Sequence, residues 1–547
     1  MTTKNLSTSV DVVVVGAGFA GLYMLHRLRA LGMTVQVFEA GSDVGGTWFW
    51  NRYPGARCDV ESMEYSYSFS DELQQEWAWT ERYATQPEIL RYVNHVADRF
   101  DLRRSVQFKT RVRSAVFDED QDQWTITTDG NASVTAHFCI MATGCLSAAK
   151  VPEIAGLSNF KGDWYHTGLW PQEGVDFSGK VVAVIGTGSS GIQLIPEVAK
   201  QASQLYVFQR TPTFSLPAGN RPLQPQAVLE TKKNYAELRQ QARGSPAGVA
   251  SYPVPTRSAL DATPEEREAA YEVRWQAGGT AYTRTYNDVM LSQASNETAA
   301  DFARRKIASR VHDPVLADAL SPKDVLIGTK RLCLDDGYFE TFNQNHVKLV
   351  DLREAPIQDI TAEGVRTSLT EYKVDALIFA TGFDAMTGAL LNIDIRTSSG
   401  KTLAKSWAAG PRTYLGLMTA GFPNLFTITG PGSPSVISNV MVSIEQHVEW
   451  ITDCLRFMRE ARHTHIEADL TAQDAWVAHV NELANATLYP LGNSWYVGAN
   501  IPGKPRVFMP YVGGVGRYRQ KCTEIAANGY EGFRFSAADG AQRSADT

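Results

Sequence analysis

Cysteine is scarce: six in 547 residues, Cys58, Cys139, Cys145, Cys333, Cys454 and Cys522, with no C-x-x-C pair and no metal-ligand spacing. Thiols this scattered exclude a structural zinc site and the redox disulfide that a flavin disulfide reductase needs, and they fit a reducing, cytoplasmic setting. No metal is expected. Also missing is any uninterrupted apolar run of the roughly 18 residues that a membrane span takes. Residues 1–9 carry one basic side chain, Lys4, a poor start for a signal peptide, and the apolar run from Val10 is better explained by the glycine turn it enters. Surplus positive charge is absent too: 52 Lys and Arg against 59 Asp and Glu leave a net charge of −7, with a pI near 5.9. No basic field exists to draw the chain onto nucleic acid or anionic lipid, so neither is an expected partner.

What is present is a globular composition, 44% apolar and 20% charged, in a chain long enough for about two to four domains. Asp11 to Val15 reads as a buried strand that runs into Gly16-Ala-Gly18-Phe19-Ala-Gly21, followed by leucines at helical spacing. Strand, glycine turn and helix set backbone N–H groups and the positive helix end against a pyrophosphate. Val35 to Glu39 then reads as a second strand, with Glu39 eighteen residues past Gly21, where an acid accepts from ribose hydroxyls. The order recurs: Lys180 to Ile185, then Gly186-Thr187-Gly188-Ser189-Ser190-Gly191, then a helix containing Pro196, then the strand Leu205 to Thr211. Here the residue nineteen past the last glycine is Arg210, not an acid. A guanidinium binds a ribose 2′-phosphate that a carboxylate repels, and Thr211 adds a hydroxyl. The first cradle therefore fits FAD, and the second fits NADPH in preference to NADH.

Between the two cradles lies Phe160-Lys-Gly162-Asp-Trp-Tyr-His166-Thr-Gly-Leu-Trp170-Pro171, an aromatic connector with one imidazole. The pattern F-x-G-x-x-x-H-x-x-x-W-P is the signature of type I Baeyer–Villiger monooxygenases. Gly45-Gly46-Thr47-Trp48 through Tyr53-Pro54-Gly55 to Asp59 is similar to the second long fingerprint of that family at every fixed position. The chain resembles the phenylacetone and steroid monooxygenase branch most through Gly328-Thr-Lys330-Arg331, Gly430 to Asn439 and Asn493 to Arg506.

The resemblance implies two Rossmann-like α/β dinucleotide-binding domains, for FAD and NADP, with a helical insertion. Residues 1–144 and 381–547 would form the FAD domain, 145–220 and 326–380 the NADP domain, and 221–325 the charged, helix-forming insertion. The A-T-G endings at 142–144 and 380–382 would mark the crossings between domains. By the same resemblance, Arg331 is the catalytic cation and Asp59 its carboxylate partner. Thr47, Trp48, Tyr65, Val112 and Val440 join Gly16, Gly18, Phe19, Gly21 and Glu39 around FAD, although ordinary packing explains Tyr65 and Val112 nearly as well. Arg57, Lys330 and Trp495 join the second cradle around NADP, with Trp495 on a mobile loop that folds over the nicotinamide. Trp495 as plain core remains open, as does a solvated Lys-Arg pair at 330–331.

Leu146, Ser435, Val436, Ile437 and Val440 are the implied substrate pocket. Cys145 and Val440 depart from the side chains expected in that branch, which leaves the substrate range open among aryl-aliphatic, cyclic and steroidal ketones. The implied activity is NADPH- and O2-dependent oxidation of ketones to esters or lactones through a C4a-peroxyflavin, with sulfides as a further substrate class. In the family the linker around His166 couples domain movement to turnover. Two other readings stay open: a flavin N- or S-monooxygenase, and an FAD- and NADP-binding redox sensor without turnover. A monomer or weak homo-oligomer is expected, with a frayed tail from Ala537 to Thr547.

Overall fold

The computed structural model describes residues 9–537, so the expectations for the first residues and for the tail beyond 537 lie outside the described residues. Valine runs make the first strand, Ser9–Val15, which pairs in parallel with Val35–Phe38 on one side and Ser133–Met141 on the other. The β-branched side chains suit a strand covered on both faces, and Val12, Val13 and Val14 are fully buried. Around this centre the sheet runs Asp394–Thr397, Val112–Asp118, Gln123–Thr128, Ser133–Met141, Ser9–Val15, Val35–Phe38 and Val106–Gln107, with Leu425–Thr427 also pairing Ser133–Met141. The C-terminal third thus supplies two strands to the sheet that the N-terminus begins.

The second sheet has five parallel strands in the order Val347–Asp351, Gln204–Gln209, Val181–Ile185, Ala376–Phe379 and Asp163–His166. The connector reading of the signature is corrected here. Its middle is the edge strand of this sheet, with His166 in register with Phe379. Phe160 packs under the sheet, and a Cβ on Gly162 would run into the Asp375 carbonyl and the Phe160 ring. Trp170 is buried against Tyr165 and Phe177. The aromatic bulk that suggests a packed linker instead anchors a strand and the turn leaving it.

Helices Pro225–Lys233, Tyr235–Gly244, Pro264–Ala277, Gln293–Ala308 and Pro314–Leu320 fill the charged stretch. The third begins with a capping box, Thr263 with Glu266. They divide between the two bodies: Tyr235 joins the core built on the first sheet, whereas Tyr271, Trp275 and Phe302 join the core under the second. Arg239 fastens the former group by donating to Gln74, the Glu64 carbonyl and Ser66.

Candidate active site

The two cradles are alike in geometry. Gly16 and Gly186 sit at φ +107° and +114°, a region that side chains avoid, and a Cβ on either would come 2.5 Å from the carbonyl of Ala142 or Ala380. A Cβ on Gly21 or Gly191 would collide with the carbonyl of the first glycine of its own turn, so these residues let helix and strand pack closely. Gly188 differs, since nothing lies within 4 Å of the position its Cβ would take. Gly18 and Gly188 begin helices Phe19–Ala30 and Ser189–Ala199, and neither start has a side-chain cap. Helix N–H groups left without partners, beside an open backbone, suit a pyrophosphate.

At the tip of the second strand, Glu39 is fixed by the N–H groups of Ala17 and Gly41, at 2.8 and 2.7 Å. Burial raises its pKa, against the pull of those bonds. Trp48 donates to the Tyr65 hydroxyl at 3.1 Å, and Phe19 meets Tyr65 edge-on at 5.7 Å, so these three expected flavin neighbours form one aromatic wall. Thr47 opens the short helix carrying Trp48. Val440 begins helix Val440–Glu460 after the Asn439 cap. Val112 stands apart: its side chain is buried in the other core layer with Val13, Phe38 and Trp124.

In the second cradle the Thr187 hydroxyl donates to the Thr211 carbonyl, Ser189 contacts Cys333, and the Tyr53 hydroxyl donates to Gln193. Arg57 pairs with Glu81 at 3.3 Å. Lys330 lies near enough to Arg210 to feel its charge: burial, and after it Arg210, lower the Lys330 pKa. Neither cation has an ion pair of its own among the described residues.

The strand Cys333–Asp335, paired with Ser215–Pro217, carries Arg331 two residues ahead of its start. The Arg331 guanidinium meets Asp59 bidentately, Nε to Oδ2 at 2.8 Å and Nη2 to Oδ1 at 2.6 Å, and Nη1 donates to the Val436 carbonyl at 2.6 Å. The pair is partly open, with side chains 30% and 20% exposed. Burial pulls the Arg331 pKa down, but Asp59 and Tyr496 outweigh it and hold the group well above the usual arginine value, so it is a permanent cation.

Val436, Leu146, Ile437 and Cys145 pack together with Tyr496 and half-buried Trp495 in one apolar cluster. Ser435 is fully buried and takes a left-handed φ of +28°, which bends the chain ahead of Val436. His166 is buried, accepts from the Gly168 N–H at 3.0 Å, and has its pKa lowered by burial. Sequence reasoning missed one group that holds Arg331, the Val436 backbone carbonyl, which has no side-chain signal. An open cleft of about 650 Å³, lined by Arg52, Arg91, His95 and Pro171, includes none of these residues.

Residues 9–241 match the model of the flavin-binding monooxygenase-like family. The chain is 44% identical to a Baeyer–Villiger monooxygenase of Pseudooceanicola batsensis over 96% of both chains. It is 42% identical to a phenazine N-monooxygenase of Lysobacter antibioticus over 97% of both. Its fold superposes with a TM-score of 0.93 on an oxidised steroid monooxygenase bound to NADP, at 51% identity over 97% of this chain and 100% of that one. The chain belongs to the flavin-dependent Baeyer–Villiger monooxygenases, a group within the flavin-binding monooxygenase-like family whose cofactors are FAD and NADP.

Proposed function

We propose that this chain converts ketones to esters or lactones at Arg331, beside the apolar cluster of Leu146, Val436 and Ile437. The bidentate Arg331–Asp59 pair carries this reading. When bound, FAD and NADPH supply the reducing electrons and the centre at which O2 is activated. The protein contributes binding, orientation and charge. Gly16, Gly18, Gly21 and Glu39 would hold the FAD pyrophosphate and ribose, with Phe19, Thr47, Trp48, Tyr65 and Val440 beside it. Residues 186–191 would hold the NADP pyrophosphate, with Arg210, Thr211 and Lys330 on its 2′-phosphate and Arg57 and Trp495 at its other end. Residues 1–144 and 381–547 serve as the FAD unit, 145–220 and 326–380 as the NADP unit, and 221–325 as the wall.

The reaction adds an oxygen nucleophile to a carbonyl, so negative charge builds on oxygen before a carbon substituent migrates. Arg331 keeps its proton at any working pH and meets that charge. Asp59 takes two of its N–H groups, fixing the plane of the guanidinium and sparing the site an unpaired buried cation. The apolar side chains of Leu146, Val436 and Ile437 beside Arg331 lower the local dielectric.

Purified protein given NADPH, O2 and a panel of simple ketones should form the ester or lactone, read by product mass. Arg331→Ala should still let NADPH reduce the flavin while losing ester formation by roughly 10²–10³, the cost of deleting a charge-stabilising donor. Normal ester yield from that variant would overturn the assignment. The phenazine N-monooxygenase relative favours one second reading, oxidation at nitrogen, and N-oxide from an aromatic amine with no ester from any ketone would establish it.

A further inference from the structure

Glu64 gathers segments that lie far apart in the chain. Its Oε2 accepts from the Ala250 N–H at 2.7 Å and its Oε1 from the Ser251 hydroxyl at 3.1 Å, which pins the stretch that follows helix Tyr235–Gly244. Its backbone carbonyl accepts from Arg239 Nη1 at 3.1 Å and from Asn439 Nδ2 at 3.0 Å. A carboxylate is costly to place here. No cation pairs with it among the described residues, and burial raises its pKa while the bonds from Ala250 and Ser251 pull the other way.

The pinned stretch also touches the pocket. The Ala247 carbonyl accepts from the Asn439 N–H at 2.8 Å, and Gly248, at φ +68°, lies so close that a Cβ would come 3.3 Å from the Asn439 side chain. Asn439 follows the turn Ser435–Ile437 and caps helix Val440–Glu460 by accepting from the Met441 N–H. Three residues before Asn439, the Val436 carbonyl accepts from Arg331 Nη1 at 2.6 Å. Short contacts thus lead from the Glu64 carboxylate to Ala250, back along the chain to Ala247, across to Asn439 and on to the guanidinium.

We propose that Glu64 is a positioning residue for the active site: its carboxylate seats segment 247–251, which fixes Asn439 and with it the Val436 carbonyl that aims Arg331. The inference rests on the reading of Arg331 as the charge-stabilising cation. A plain docking role for Glu64 is separable from this one, because Arg243 fastens the same helix by donating to the Ser68 hydroxyl at 2.9 Å, without bonding to residue 64, to 247–251 or to Asn439.

The test compares the FAD-loaded parent with Glu64→Leu, Glu64→Gln and Arg243→Met. It reads thermal midpoint, the rate of flavin reduction by NADPH, ester and hydrogen peroxide formed per NADPH, and amide hydrogen exchange in residues 247–251 and 435–441. Glu64→Leu should keep the parental reduction rate, while exchange quickens roughly tenfold in both segments and ester per NADPH falls about fivefold in favour of peroxide, somewhat less than a direct hydrogen bond to a charged group is worth. Glu64→Gln keeps an acceptor oxygen for the Ala250 N–H and should recover most of the coupling. Arg243→Met should lower the midpoint with parental coupling and parental exchange at 435–441. Parental coupling in Glu64→Leu, or quicker exchange confined to 247–251, overturns the inference, as does equal uncoupling in Arg243→Met, which would mean docking alone. A parent that makes no ester overturns the functional reading, and this inference with it. Should Glu64→Leu fail to fold, Ser251→Ala, an exposed site that removes one of the two bonds, takes its place: quicker exchange at 435–441 supports the role and parental exchange there refutes it.

Discussion

Replacing Arg210 with alanine tests how this protein selects its nicotinamide cofactor. Arg210 is exposed, and Lys330 beside it is half-buried with its pKa lowered by burial first and by Arg210 second. A unit charge about 4 Å from a phosphate is worth about 1 kcal/mol in water and about 4 kcal/mol at a protein surface with an effective dielectric near 20. For an exposed arginine a value of about 2 kcal/mol is reasonable, which is roughly a 30-fold loss in kcat/KM for NADPH. NADH lacks the 2′-phosphate and is touched only by the screened field, so its kcat/KM should move by less than about twofold. The assay is initial rate against NADPH and NADH, at fixed ketone and constant ionic strength.

The pair also predicts a pH effect. Lysine ordinarily loses its proton near pH 10.4, and Lys330 loses it at lower pH because its cationic form is disfavoured. The preference for NADPH over NADH should therefore decline with rising pH from below that ordinary value, as Lys330 becomes neutral. In Arg210→Ala one of the two causes is gone, so the decline should move upward in pH; burial remains, so it should stay below the free lysine value. An equal loss for both cofactors in Arg210→Ala, or a pH decline that does not shift, would refute a shared phosphate site at Arg210 and Lys330.

Gly188→Ala should fold with a parental thermal midpoint but bind NADPH weakly, because its new methyl enters space that no protein atom occupies; NADPH KM and calorimetry check this. Gly191→Ala should instead destabilise the apoprotein, because its methyl drives into the Gly186 carbonyl. His447 accepts from the Thr429 N–H and contacts the Tyr518 hydroxyl at 2.8 Å, and burial lowers its pKa to about 3. The unfolded chain then binds the extra proton between about pH 6.5 and 3, so this contribution is whole above 6.5 and is lost as pH falls. About 1.5 pH units at ~1.36 kcal/mol each give a loss of about 2 kcal/mol between pH 6.5 and 5. Scanning calorimetry of the parent and of His447→Gln, which should lose less over that interval, checks the sign.

The two cradles were legible because their requirements are local. Gly16 and Gly186 must adopt a positive φ, Gly21 and Gly191 must let helix and strand touch, and both constraints fall within one strand-turn-helix of contiguous sequence. Glu39 and Arg210 were legible for the same reason, since a fixed count along the chain places each at the tip of the next strand. The signature around His166 was read correctly as packed and aromatic but not as a strand, because its pairing partner, Ala376–Phe379, lies some two hundred residues on.

Sequence alone therefore determined the two nucleotide turns, the opposite charges that follow them, and the identity of Asp59 and Arg331 through their motifs. Only the tertiary structure decided that those two residues, 272 positions apart, meet through two hydrogen bonds, and that the Val436 carbonyl completes the hold. The physical reason is reach. Backbone conformation and helix polarity act over a few residues and leave a pattern in the chain, whereas the placing of a charge depends on acceptors brought in by distant segments, one of them a backbone oxygen that any residue could have supplied.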